Sequence, residues 1–199
     1  MSRDRCIGIF EETVSKLSCY SACLLALTWF SVEVVLPLQR WLLPSLSPYA
    51  IMVYLPFGLI VVVSYLESWK AFVYFLPGAI FVHHVYVDPV FSIFECVSVI
   101  LVEYNLPILV FVVLDWVLVC DRQSTIESTR SWRILCLGGL LSATGVSIIV
   151  HSIERQRIEF DAPSLEVAVQ YLIGDFVGFV AFLAFATLCF RLPAKIGRL

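Results

Sequence analysis

The sequence predicts an all-α integral membrane protein, built as a bundle of about six transmembrane helices. Of its 199 residues, 60% are hydrophobic and only 15% are charged, and the mean hydropathy is +0.93. Soluble globular domains carry about 45–50% apolar and about 25% charged residues. The apolar residues also fall in long runs, several of which reach the roughly 20 residues that cross a hydrocarbon core as a helix. Disordered, collagen-like and disulfide-scaffold proteins are excluded by the same figures.

The hydrophobic runs predict one polytopic membrane domain over residues 1–199. The first run follows a charged segment and has no small-residue cleavage site, so we expect a retained span and not a signal peptide. The fourth run contains Glu103, Asn105 and Pro107. Because proline interrupts helical hydrogen bonding, this run is either one long helix kinked at Pro107 or two half-helices. The predicted spans are 18–36, 48–66, 69–87, 90–120, 133–151 and 166–190.

The positions of the basic residues orient this bundle, because cytoplasmic segments carry an excess of lysine and arginine. Six spans with an inner N-terminus place ten basic residues inside and three outside, whereas two full spans in the fourth region would give six against seven. We therefore expect six spans with both termini in the cytoplasm. The outer residues are Arg40, Arg155 and Arg157, and the inner ones are Arg3, Arg5, Lys16, Lys70, Arg122, Arg130, Arg133, Arg191, Lys195 and Arg198.

The segments between the spans are too short to fold a catalytic domain. The longest are 121–132 inside and 152–165 outside. The sequence has no Walker loop, dinucleotide fingerprint, HExxH or GxSxG, and no basic block that would grip nucleic acid. We expect a non-enzymatic protein without a metal or cofactor. A bis-histidine haem is the alternative, because His83, His84 and His151 lie at span ends on one side, but their spacing is unspecific.

Ionisable residues inside the membrane are candidates for function, because each costs about 2.5–3.5 kcal/mol on insertion scales. Asp175 lies about ten residues into the sixth span, between Gly174 and Gly178. This GxxxG spacing lets two helix backbones approach closely, so the aspartate would face a neighbouring helix. Asp175 is either a carboxylate that binds a ligand, proton or cation, or a structural hydrogen-bond acceptor.

The fourth span carries further polar residues. Glu95 and Glu103 are eight residues apart, about 80° around a helix, and would share a polar flank with Asn105. We expect this flank to bind a ligand or a partner. The alternative places Glu95 at the outer interface and Glu103 at the proline kink.

Two blocks of the chain resemble the membrane-associated sensor (MASE-type) domain of bacterial histidine kinases and diguanylate cyclases. The first is Leu55-Pro56-Phe57-Gly58-Leu59, followed by Trp69-Lys70 and by Phe75-Leu76-Pro77-Gly78-Ala79; the second is the Gly-Asp-x-x-Gly stretch at 174–178. The resemblance maps Pro56, Gly58, Pro77, Gly78, Asp175 and Gly178 onto the family's motif positions. It implies a bacterial inner membrane and a role in sensing or docking, here in a stand-alone module without an output domain.

Two functions follow as expectations. The first is a non-enzymatic sensor-like module that acts as an interaction or accessory subunit of a membrane protein complex. Its partners would be another integral membrane protein, lipids and a small-molecule ligand, but no nucleic acid. The alternative is a small-solute or ion transporter, or a substrate-capturing component, that uses the buried carboxylates.

Overall fold

The computed structural model describes residues 3–44, 46, 50–86, 92–119, 127–154 and 164–196. Every regular element in these ranges is helical, which confirms the all-α prediction. The elements are α1 (Arg3–Phe30), a π-helical segment (Ser31–Val35), α2 (Leu36–Leu42), α3 (Leu55–Glu67), α4 (Lys70–Tyr86), α5 (Ile93–Val119), α6 (Glu127–Glu154) and α7 (Ser164–Ile196).

Four helical stretches are long and apolar enough to cross a membrane, by length and composition. They are Glu11–Leu42, Ile93–Val117, Trp132–Ile153 and Leu165–Cys189. Helices α3 and α4 are shorter, with 13 and 17 residues. The chain therefore has the helices of a membrane protein, while the six-span count and the orientation stay predictions.

The first rod of the bundle runs without a break from α1 through the π-helical segment into α2. Both residues that flank the π-helical segment, Phe30 and Leu36, have right-handed helical backbone angles. Pro37 lies in the first turn of α2. Proline has no N–H, and its ring crowds the carbonyl four residues earlier, which here belongs to Glu33 in the π-helical segment.

Helix α3 occupies the centre of the bundle and contacts α1, α4, α5, α6 and α7. Its residues Pro56–Val61, Val63 and Ser64 are buried. Pro56 lies in the first helical turn, where the missing N–H has no intrahelical partner to lose. The predicted span 48–66 is helical only from Leu55, because residues 50–54, here called the non-helical segment, precede the helix start set by Pro56.

A tight turn at Ser68 reverses the chain between α3 and α4. The Ser68 N–H donates to the Ser64 carbonyl at 3.0 Å, and the Ala71 N–H donates to the Ser68 carbonyl at 3.0 Å. Nearby, Lys16 Nζ lies 2.9 Å from Glu67 Oε1 and 3.0 Å from Glu12 Oε1. The Lys16–Glu67 pair connects α1 to the end of α3 that lies away from the non-helical segment, whereas the Lys16–Glu12 pair lies within α1.

Pro77 and Pro107, which both lie inside helices, have different surroundings. Beside Pro77 in α4, the Ser21 hydroxyl of α1 accepts from the Gly78 N–H at 3.3 Å and donates to the Tyr74 carbonyl at 2.8 Å. A side chain thus bridges the backbone ladder at the proline. Pro107 is fully buried inside α5, which is one continuous helix over Ile93–Val119 and not two half-helices.

Two apolar clusters form the core, and α3 contributes to both. One joins α1, α3, α4 and α5 around Phe75 and Tyr104, whose ring centroids are 5.8 Å apart. The other joins α3, α5, α6 and α7 around Phe57, Phe111 and Phe179. The central helix therefore ties the two halves of the bundle together.

Candidate ligand-binding site

A cavity of about 200 Å³ lies between the helices, beside the non-helical segment. Every helical element except α2 and α3 contributes a lining residue, because the packing of the bundle brings residues distant in sequence together. Its wall is mostly apolar and carries a small set of polar side chains. The lining residues are Thr28, Val32, Ile51, Tyr54, Val82, His83, Tyr86, Val99, Glu103, Val146, Ser147, Val150, Tyr171 and Asp175.

Asp175 of α7 is one of the two carboxylates in the wall. The residue is 7% exposed, and the Ser147 hydroxyl of α6 donates to its Oδ2 atom at 3.2 Å. A carboxylate offers about four lone-pair sites. The hydrogen bond from Ser147 therefore leaves acceptor capacity on Asp175, which lines the cavity.

Glu103 of α5 is the second carboxylate, and its two oxygens have different neighbours. The Tyr54 hydroxyl donates to Oε1 at 3.4 Å, a long hydrogen bond. The His83 Nε2 atom lies 3.8 Å from Oε2. Because Pro107 has no N–H, the Glu103 backbone carbonyl also lacks its usual helical donor.

His83 of α4 also lines the cavity, and its ring carries an unpartnered polar atom. Its side chain is 9% exposed, and its Nδ1 atom is buried without a hydrogen-bond partner among the described residues. Buried polar atoms normally have a partner, so this nitrogen calls for one.

The non-helical segment owes its shape to Gln39 and to the glycines of α7. The Gln39 Nε2 atom donates to the Ala50 carbonyl at 2.8 Å, and its Oε1 atom accepts from the Met52 N–H at 2.7 Å. The Tyr54 N–H donates to the Gly174 carbonyl at 3.0 Å. Irregular backbone is tolerated at membrane depth only where its polar groups are satisfied in this way.

Gly174 and Gly178 leave room for this segment. A Cβ atom at Gly174 would collide with the Ile51 carbonyl oxygen, and one at Gly178 would collide with the Tyr54 carbonyl group. The GxxxG spacing predicts a close approach to a second helix. The backbone that both glycines face is instead non-helical, and it carries Tyr54 into the cavity.

The other motif positions are packing contacts around the central helix. Gly58 of α3 faces Phe182 and the Gly178 carbonyl of α7. A Cβ atom at Gly78 would lie 3.1 Å from the Ser21 carbonyl of α1. Pro56 begins α3, whereas Pro77 lies on an exposed face of α4.

Glu95 lies outside the cavity and caps α5. Its Oε2 atom accepts from the Ser92 N–H at 2.8 Å and from the Ser92 hydroxyl at 2.7 Å, while the Ser92 hydroxyl accepts from the Glu95 N–H at 3.3 Å. This is a capping box, whose S-x-x-E signature is readable in the sequence. Glu95 thus has a local structural partner.

Asn105 is also separated from Glu103. It donates from Nδ2 to the Leu101 carbonyl at 3.0 Å and lies on the outer surface of the bundle. Residues two positions apart in an α-helix point about 200° apart around its axis. The side chains of Glu103 and Asn105 therefore leave α5 on opposite sides. The groove around Asn105 is lined by Leu101, Val102, Leu106, Ile108, Leu109, Val112 and Ile149.

Sequence reasoning did not select Tyr54, Ser147 or Gln39. A tyrosine or serine inside an apolar run carries little positional information by itself. Gln39 is a polar residue near a span end, and nothing in its neighbourhood signals a contact with residues 50–52. Of the three histidines in the haem alternative, His83 lines the cavity, His84 is exposed, and His151 is buried in α6.

The cavity combines hydrogen-bond acceptors with an apolar wall. Its described lining contains two carboxylates, one histidine, three tyrosines and two hydroxyl residues, and otherwise valine and isoleucine. No group of three or more metal-ligating side chains occurs among the residues that the structure describes. Such a site can hold a small solute by a few directed polar contacts and by apolar burial.

Comparison with protein-family models, curated proteins and solved structures found no match to this chain.

Proposed function

We propose that this chain is a non-enzymatic integral membrane module that captures a small solute in the cavity between its helices. The observation that carries the proposal is the pair of carboxylates, Asp175 and Glu103, on one apolar cavity. Ionisable groups at membrane depth are expensive, and they mark ligand or ion sites more often than packing contacts. Solute capture suits a sensor-like module and a substrate-capturing component of a transporter equally.

The setting we propose is a bacterial inner membrane, crossed six times with both termini in the cytoplasm. The resemblance to MASE-type sensor domains supports the location, and the basic residues support the orientation. In that topology the cavity lies in the outer half of the bundle, because Tyr54 begins the second span and His83 and Ser147 lie near the outer ends of theirs. Capture from the outer side follows.

Native mass spectrometry of the protein, extracted gently from its own membrane, tests the proposal. We expect the wild-type chain to carry a bound small molecule that is absent from Asp175→Asn. The substitution keeps the shape of the side chain and removes its charge, so the fold should survive. Asn105→Leu is the matched control, because it removes a polar group from α5 outside the cavity and should keep the bound molecule.

Two results would contradict solute capture. One is a wild-type chain whose mass equals that of the polypeptide alone, while the control variant folds normally. The other is a bound molecule that Asp175→Asn retains at full occupancy, since the carboxylate would then have no part in binding.

A second candidate function, the accessory subunit, rests on Asn105. A side-chain amide on the outer face of a helix in the middle of the membrane is favourable where it meets another helix, and asparagine hydrogen-bonds across such interfaces. The exposed groove around it is apolar and about 430 Å³ in volume. Its occupant would be a transmembrane helix of another membrane protein.

The same mass measurement tests this candidate. A complex of fixed stoichiometry is expected for wild type and for Val113→Leu, which alters a neighbouring exposed position of α5. Asn105→Leu should release the partner. A complex that survives Asn105→Leu, or a wild-type chain that is always alone, would rule out docking at this groove.

A further inference from the structure

We propose that the solute is a small organic cation, an ammonium group on a compact apolar body. This inference rests on the proposed function, in which the cavity captures a solute. It concerns the chemical class of that solute, which the wall of the cavity specifies by charge, by hydrogen-bonding capacity and by volume.

The charges of the wall favour a cation. Asp175 and Glu103 both line the cavity, and no lysine or arginine is among the described lining residues. The one basic side chain among the described lining residues is His83, whose Nε2 atom lies 3.8 Å from Glu103 Oε2. A buried carboxylate without a counter-ion is costly. A cationic solute would provide the missing positive charge.

The hydrogen-bonding groups of the wall fit an ammonium. Asp175 has one described donor, Ser147, and Glu103 has one long hydrogen bond from Tyr54. His83 also lines the cavity, and its Nε2 atom lies 3.8 Å from Glu103 Oε2. An ammonium has three donors and no acceptor, which matches two carboxylates with spare acceptor sites on one cavity.

The remaining wall argues for an organic ion and against a bare metal ion. Hard divalent cations take about six to eight oxygen ligands. Most of the lining here is valine, isoleucine and tyrosine. Those side chains would leave a metal ion undersolvated, but they would cover the apolar part of an organic cation. The tyrosine rings also attract cations through their faces.

The volume limits the size of the solute. An engineered apolar cavity of about 150 Å³ binds benzene. A cavity of about 200 Å³ therefore has room for one six-membered ring with a one-carbon ammonium arm. Benzylamine, which is protonated at neutral pH, has this size and shape. Benzyl alcohol and benzoate have nearly the same shape with no charge and with the opposite charge.

Isothermal titration calorimetry on the full chain in lipid nanodiscs tests the inference, with empty nanodiscs as the reference for partitioning. We expect benzylamine to bind with a Kd at least about tenfold lower than that of benzyl alcohol, and benzoate not to bind. Asp175→Asn and Glu103→Gln should each raise the Kd of benzylamine at least about tenfold. The Kd of benzyl alcohol should stay within about twofold of the wild-type value. Val113→Leu, at an exposed position of α5 outside the cavity, should leave all three affinities at the wild-type values.

The outcomes separate this inference from the proposed function. If benzyl alcohol or benzoate binds as tightly as benzylamine, the cavity captures solutes but the cationic class is wrong. If none of the three binds while native mass spectrometry detects a bound molecule, capture again stands and the class is wrong. If none of the three compounds binds and native mass spectrometry finds no small molecule on the purified chain, both the inference and the proposed function fail.

Discussion

Ser68 has a backbone conformation that favours glycine. Its φ of 54° is positive, and it is the one non-glycine residue with a positive φ in the described part of the chain. A Cβ atom in this conformation costs about 1–3 kcal/mol. Ser68→Gly should therefore raise the free energy of unfolding by roughly 1 kcal/mol, after allowance for the greater freedom of glycine in the unfolded chain. Unfolding of both proteins in mixed micelles measures this difference in the free energy of unfolding.

Ser68→Ala is the control for that substitution. Alanine keeps the Cβ atom and loses only the hydroxyl, so its stability should stay close to that of wild type. Equal stability of the glycine and alanine variants would mean that the turn carries no strain.

The three acidic side chains that the sequence selected have different surroundings. Asp175 and Glu103 line the cavity, whereas Glu95 caps the start of α5. Residue type and membrane depth do not separate these roles. The Ser92-x-x-Glu95 spacing could have identified the cap, but the partners of Asp175 and Glu103 come from other helices.

Among the elements, α5 depends on its capping box at the N-terminus. Ser92→Ala removes the hydroxyl that accepts from the Glu95 N–H and donates to the Glu95 carboxylate. Loss of such a cap costs about 0.5–2 kcal/mol, so the free energy of unfolding should fall by about 1 kcal/mol. Chemical unfolding measures the loss, and hydrogen exchange should locate it in the first turn of α5.

Glu95→Gln is the matched variant, because glutamine also completes a capping box. It should change stability by less than about 0.5 kcal/mol and leave benzylamine binding unchanged. A strong loss of benzylamine affinity in Glu95→Gln would assign this carboxylate to the site, in conflict with its contacts.

Helix α7 and the non-helical segment depend on each other at Gly178. In Gly178→Leu the new side chain would meet the Tyr54 backbone, which cannot retreat without losing its hydrogen bond to the Gly174 carbonyl. Overpacking costs about 1–3 kcal/mol even where neighbours are flexible side chains. We expect a loss of about 3 kcal/mol or more, measured by unfolding in mixed micelles, together with loss of benzylamine binding.

Val177→Leu is the control on the same helix turn. Val177 is exposed, so the larger side chain has room and stability should not change. Gly178→Ala adds a single methyl group and should show a smaller loss of the same kind. Wild-type stability in Gly178→Leu would refute the close contact.

Most elements follow from local sequence, and the exceptions have identifiable causes. The predicted spans 69–87, 133–151 and 166–190 each fall on a helix, because hydrophobic runs and their ends are local features. The second span begins late because Pro56 sets the start of α3. Gln39 and Gly174 then satisfy the backbone of residues 50–54, and no local pattern contains those two partners.

At the scale of the whole molecule, the six-span prediction requires that the segments containing the short helices be long enough to cross a membrane. Helix α3 has 13 residues and is about 20 Å long, less than a hydrocarbon core of about 30 Å. Five non-helical residues add up to about 16 Å of reach. Residues 50–67 therefore have enough length to cross, which supports the count of six without deciding it.

The orientation has a direct test. Gln123→Cys and Gln156→Cys place one thiol in each of the two longest segments between spans, in a chain whose native cysteines are replaced by serine. A membrane-impermeant maleimide added to intact cells should label position 156 and spare position 123 until the membrane is opened. Labelling of position 123 in intact cells would invert the topology, and labelling of both would break the six-span count.

The sequence by itself determined that this chain is helical and suited to a membrane, because composition and run length act locally, whatever the helices later touch. It also singled out Asp175 and Glu103, because a carboxylate in an apolar run is visible without a structure. Only the tertiary structure decided that these two face one cavity with Tyr54, His83 and Ser147, while Asn105 and Glu95 do not. The reason is physical: which side chains meet depends on how helices distant in sequence pack, and that packing follows from close contacts of α3 and α7 that no single segment specifies.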